Sequence, residues 1–132
     1  MKTLLNASLI IPLLASGAAV ADVVGERLAA YKAQGASGFS AAAGEALWNR
    51  SFKGATAGEP RRCATCHTSN LRDAGKHAET GKRIEPMKPA VNPKRLSDTR
   101  QIEKWFLRNC KWTLGRECTP QEKGNFLVFI RD

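Results

Sequence analysis

Three shortages narrow the possibilities for this 132-residue chain before any motif is read. No apolar run is long enough to span a bilayer, which excludes a membrane-embedded protein. Strand signals are scarce, and none leads into the first cysteine pair, so a sheet-based fold is disfavoured. Acidic residues are few: 12 Asp and Glu face 21 Lys and Arg, a formal charge of +9. Such an excess suits an acidic partner. Nucleic acid is a poor candidate, because no nucleic-acid-binding motif accompanies the charge and the N-terminus marks the chain for export.

That N-terminus begins with Met1-Lys2, continues with a mostly apolar Leu4 to Leu14 broken by Asn6, Ser8 and Pro12, and reaches a small-residue step at Ala19-Val20-Ala21. The pattern predicts a cleaved signal peptide over residues 1–21 and one soluble domain over 22–132. Its 111 residues suffice for a modest core. Cleavage removes only Lys2 among the charged residues, leaving +8. Six of those net charges lie between Arg61 and Arg95, where nine Lys and Arg meet Asp73, Glu79 and Glu85.

Within that basic segment stands Cys63-Ala64-Thr65-Cys66-His67. C-x-x-C-H is the sequence that fixes haem covalently: two thiols reach the vinyl groups of one porphyrin edge, and the adjacent imidazole becomes the proximal iron ligand. Two alternatives are weaker. A thioredoxin-like dithiol needs a strand and a βαβ setting, whereas Glu59-Pro60-Arg61-Arg62 precedes Cys63. Structural zinc would need Cys63, Cys66 and His67 with His77 or another cysteine, but adjacent Cys and His suit one tetrahedral ion badly and no second C-x-x-C follows. One covalent haem c per chain is therefore expected on Cys63 and Cys66, with His67 on the iron. Bacterial attachment of this kind occurs outside the cytoplasm, which places the protein in the periplasm.

The periodicity of the mature chain is helical. Val24, Leu28 and Tyr31 mark a first helix ended by Gly35-Ala36-Ser37-Gly38. Ser40 caps a second, expected to run to about Phe52 with Leu47 and Trp48 inward. Its Gly44 lies one turn from Trp48, a bare backbone patch where another helix can cross. A polar, Pro-rich stretch reaches Pro93, then Asp98 with Gln101 opens a helix carrying Ile102, Trp105, Phe106 and Leu107, expected to stop near Asn109. Thr119-Pro120-Gln121-Glu122 starts the last helix with a capping box and Pro at its first position. Gly124 in that helix is expected to meet Gly44.

Cys110 and Cys118 remain, and two leftover cysteines so close in an exported chain are expected to pair. Their loop precedes the last helix. Candidates for the second iron ligand are Met87, the sole methionine after the leader, and Asn109 or Lys111 beside Cys110. Met87 sits early, in Ile84-Glu85-Pro86-Met87-Lys88-Pro89, where a proline backing the histidine and a packed methionine are the alternative. Asn109 equally suits a helix cap.

Taken together, the leader, C-A-T-C-H, I-E-P-M-K-P-A-V-N-P, Asn109-Cys110 and Cys118 before T-P-Q-E resemble the sphaeroides haem protein family over nearly all of the mature chain. That family consists of exported, oxygen-binding class I cytochromes c. The resemblance implies an all-α class I cytochrome c fold with a single haem, Asn109 as sixth ligand, and a Cys110–Cys118 bridge. It further implies a high-spin cytochrome that accepts an electron and binds O2 or NO at ferrous haem once Asn109 leaves. Trp112, close behind Asn109, either walls the pocket or is a plain core or surface aromatic. The donor would be a multihaem or membrane-bound cytochrome, with an acidic docking face to match the basic rim, and the protein a monomer. Enzymatic turnover, terminal-oxidase-like or on NO and O2, stays open. The alternative is a plain electron-transfer cytochrome with Met87 or another sixth ligand.

Overall fold

The computed structural model describes residues 22–54 and 58–132; the leader expected over 1–21 lies outside the described residues. Five helices and one small hairpin follow in order: α1 (Val23–Ala33), α2 (Ala41–Asn49), α3 (Cys63–His67), β1 (Gly75–Lys76), β2 (Arg83–Ile84), α4 (Thr99–Leu114) and α5 (Pro120–Arg131). The architecture of the described residues is all-α apart from that hairpin. Among the described residues no helix is long and apolar enough to cross a membrane.

Four of the five helices, α3 excepted, start where a short polar side chain takes an orphan backbone N–H. Asp22 accepts from Gly25 at 2.9 Å, Ser40 from Ala43 at 3.2 Å, and Asp98 from Gln101 at 2.8 Å. Thr119 and Glu122 cap reciprocally, at 3.2 and 2.9 Å, and Arg116 grips the same carboxylate through two 2.8 Å bonds.

Two helix ends differ from expectation. α2 stops at Asn49 rather than Phe52, because Arg50 turns extended and Phe52 exchanges backbone hydrogen bonds with Arg61 at 2.8 and 2.7 Å. α4 does not end at Asn109; it carries Asn109 and Cys110 onward to Leu114 and ends at Gly115, whose φ of 77° supplies the left-handed cap. Asn109 therefore belongs to a helix, not to a loop. Cys110 and Cys118 are joined in a disulfide that ties the last turns of α4 to the start of α5.

The principal packing is α2 on α5. A Cβ on Gly44 would overlap the Asn125 carbonyl oxygen and lie 2.7 Å from Phe129 Cβ, so the absent side chain sets how closely the helices cross. Gly124 does not meet Gly44; the Phe39 ring covers it. The core gathers Trp48, Leu71, Phe126 and Ile130 with the disulfide, and beside it Val24, Tyr31, Ile102 and Leu127. A polar clasp closes the second group: the buried Tyr31 hydroxyl donates to Glu103 at 2.5 Å, and Lys123 donates to the same carboxylate at 2.8 Å. It ties α1, α4 and α5 together.

Candidate haem-binding site

α3 consists of C-A-T-C-H alone. Cys63 and Cys66 are three residues apart, so their thiols share a face; both are free and half-buried. Burial pushes the Cys63 thiol up to about 12, and the nearby Cys66 adds to the rise, so it rests protonated. The chain leaves His67 through Thr68, whose φ of 63° is unusual for a β-branched residue. Trp48 holds that turn: its indole N–H donates to the Thr68 carbonyl at 2.8 Å, and its ring lies 5.5 Å from the His67 imidazole. Burial, with help from the Arg95 charge, lowers His67 to about 4. The imidazole is then neutral near pH 7, the form that binds metal.

The hairpin presses on this helix from the other side. A Cβ on Gly75 would overlap the Cys66 carbonyl oxygen and stand 3.0 Å from His67 Cα. Only glycine allows so close a backbone approach.

Cys63, Cys66 and His67 open onto a cavity of about 840 Å³, within the range that holds cofactors. Trp48, Leu96, Ile102, Phe106, Phe126 and Leu127 supply apolar wall. α4 lines the same cavity with Trp105, Asn109, Trp112 and Thr113. Asn109 is exposed, and its carboxamide has no hydrogen-bond partner among the described residues. Trp112 is braced from behind. The Arg61 guanidinium lies 4.2 Å from its ring centre and donates to its carbonyl at 2.9 Å, while its indole N–H reaches Glu79 at 3.4 Å.

The rim carries Arg62, Arg83, Lys94, Arg95 and Arg108 against Glu85 and Asp98. Cations there suit the two carboxylates of a porphyrin. Met87 lines the cavity too, but it is partly buried against the core, with its N–H donating to the Leu71 carbonyl at 3.0 Å. Pro86 is buried beside it, yet its carbonyl accepts from Arg95 at 3.0 Å and Asn92 at 3.3 Å rather than from His67, whose Nδ1 is buried without a partner. His77, weighed above as a zinc ligand, turns Nδ1 to the N–H groups of Glu79 and Thr80.

These residues fit a haem. Two free thiols, a neutral imidazole and a side chain with unused donor capacity line one largely apolar cavity. Sequence reasoning singled out the motif and Asn109, and the structure brings them to one cavity. It missed Gly75, the Trp48 grip on Thr68 and Thr113, which depend on approaches between segments distant in sequence.

Over residues 34–130 the chain matches a family described only as a domain of unknown function, DUF1924. It is 35% identical over 127 residues to cytochrome c-type protein SHP of Cereibacter sphaeroides, covering 96% of this chain and 94% of that protein. The structure of oxidised SHP, described as an oxygen-binding cytochrome c, superposes with a TM-score of 0.75 at 35% identity, covering 82% of this chain and 95% of the other. Cytochrome c″ of Methylophilus methylotrophus is 41% identical over 87 residues, which span 66% of this chain and 60% of that protein. Similarity that spans the motif helix and α4 places this chain in the SHP and cytochrome c″ family of c-type cytochromes.

Proposed function

We propose that this is an exported, periplasmic monohaem cytochrome c that accepts an electron and takes an O2- or NO-class ligand at reduced haem. Cys63 and Cys66 hold the haem as thioethers, His67 is the proximal ligand, and Asn109 is the sixth ligand of the oxidised state. Haem supplies a one-electron couple and a coordination position; the chain decides what shares that position. The observation that carries the reading is Asn109 itself: a carboxamide that lines the same cavity as His67, with no partner among the described residues. Its oxygen is a neutral, hard, weak donor, matched to ferric iron and poorly matched to ferrous. Reduction releases it. Met87, by contrast, is held by packing. The likeness to SHP, an oxygen-binding cytochrome, supports the same assignment.

The rim cations favour an acidic face on a partner cytochrome, multihaem or membrane-bound, and make association fall with salt. The deciding experiment is the spin state before and after reduction. A high-spin ferrous spectrum that shifts with CO is expected, and replacing Asn109 by Met should abolish or slow that shift. A low-spin spectrum in both oxidation states, indifferent to CO, would leave a plain electron carrier.

A further inference from the structure

α4 turns its buried stripe inward at Ile102, Cys110 and Thr113, and Thr113 is the polar member. It is 3% exposed, lines the cavity, and has no hydrogen-bond partner for its hydroxyl among the described residues. A threonine inside a helix ordinarily turns its hydroxyl to the carbonyl four residues back. Here that carbonyl is Asn109's, and the hydroxyl does not take it. The hydroxyl is not one of the sealed, unpaired polar atoms, which among the described residues are Arg27 Nε and His67 Nδ1; it stays open to the cavity it lines, and a free donor there calls for a role.

Helix geometry supplies one. Side chains four residues apart lie on one face with Cβ atoms about 5–6 Å apart, and each leans toward the helix N-terminus. Thr113 thus leans over the turn that carries Asn109. Both side chains line the cavity, as do Trp105 and Trp112. The turn is fixed, since Cys110 is bonded to Cys118 and packs with Phe126 and Ile130.

We propose that Thr113 is a specificity-determining residue of the distal site, its hydroxyl donating a hydrogen bond to the outer atom of a polar diatomic ligand. O2 gathers negative charge on that atom when it binds reduced haem; CO gathers little. A donor aimed there holds O2 in preference to CO, by about three- to tenfold for one net hydrogen bond. The inference rests on the proposed reading that ligands enter on the Asn109 side.

The test compares reduced, haem-loaded wild type with Thr113→Val, which replaces the hydroxyl by a methyl group, and Thr113→Ser, which keeps it. Dissociation rates of O2 and CO are measured, together with the C–O stretching frequency of the CO complex. The expected result for T113V is O2 release about three- to tenfold faster, CO release little changed, and a higher stretching frequency, with T113S restoring all three. A purely structural role would change both gases alike and leave T113S indistinct from T113V. If both gases bind and T113V keeps the wild-type ratio and frequency, Thr113 is not the donor. If wild type binds neither gas, the distal-site reading falls and this inference falls with it. Thr113→Ala makes the same comparison should the valine variant not accumulate.

Discussion

Replacing Gly75 by Ala tests whether the hairpin is pressed onto the C-x-x-C-H helix. The added Cβ would overlap the Cys66 carbonyl oxygen, and it would stand 2.9 Å from the Cys66 carbonyl carbon and 3.0 Å from His67 Cα. All three are backbone atoms, so no side-chain rotation relieves the overlap; the hairpin or the motif must move. Overpacking of this kind costs about 1–3 kcal/mol, offset by about 0.4–1 kcal/mol because alanine restricts the unfolded chain. A net loss of about 1–2 kcal/mol lowers the melting temperature of a domain this size by about 5–10 °C. Two controls separate the causes. Gly58→Ala meets no atom within 4 Å and has an ordinary φ, so it should leave stability unchanged or slightly raised. Gly35→Ala is equally open but has a φ of 94°, so it reports backbone strain without overlap. Thermal unfolding followed by circular dichroism gives the stability order, and the Soret band of the haem-loaded protein reports whether His67 has moved. A G75A melting temperature within about 2 °C of G58A, with an unaltered Soret band, would refute the close approach.

Three further variants probe the supports of the site. Gly44→Ala drives a methyl group into the α5 backbone at Asn125; the gain in helix propensity is about 1 kcal/mol against an overpacking cost of about 2–3 kcal/mol, so the urea midpoint should fall, and an unchanged midpoint would mean that α2 and α5 cross less tightly. Glu122→Gln removes the carboxylate that Arg116 and the Thr119 N–H hold below its ordinary range. Because the folded value is depressed, the charge stabilises above the ordinary carboxylate pKa and that stability is lost as pH falls through the folded value; unfolding should show a deficit of about 1 kcal/mol at neutral pH that vanishes in acid, and a deficit constant with pH would count against the mechanism. The double variant Cys110→Ser with Cys118→Ser opens a link of sequence separation 8 and should lose about 2–3 kcal/mol in denaturant titration; no loss would mean that the helices hold the turn without it.

What could be read from the sequence is what depends on neighbours in sequence. The caps at Ser40, Asp98 and Thr119 are local hydrogen bonds, and each begins its helix where the residues predict. The end of α4 could not be read so simply. Asn109 and Gly115 are both acceptable terminators, and the choice went to Gly115 because the turn after Asn109 buries Cys110 and Thr113. The end of α2 was settled by a partner, Arg61, that lies beyond any local window. Gly124 is a similar case. Its bare surface was legible, but nothing in the chain says that Phe39 rather than another helix covers it. The motif in turn identifies the attaching thiols and imidazole by type, while the grip of Trp48 on Thr68 and the approach of Gly75 are properties of the folded chain.

The position of Asn109 on a helix changes how its proposed release must occur. A ligand on a flexible loop could leave by carrying the backbone away from the iron. Asn109 is followed at once by Cys110, which is bonded to Cys118 and buried among Trp48, Phe126 and Ile130, and its backbone lies between a capped start at Asp98 and a glycine stop at Gly115. Moving that backbone would break helix hydrogen bonds and core packing together. Rotating the carboxamide about its own side-chain bonds breaks neither, and its exposure leaves room for the rotation. Side-chain rotation is also far faster than local unfolding. On the proposed reading, then, bond strength to the iron governs departure, while α4 keeps Thr113, Trp105 and Trp112 in place to receive the incoming ligand.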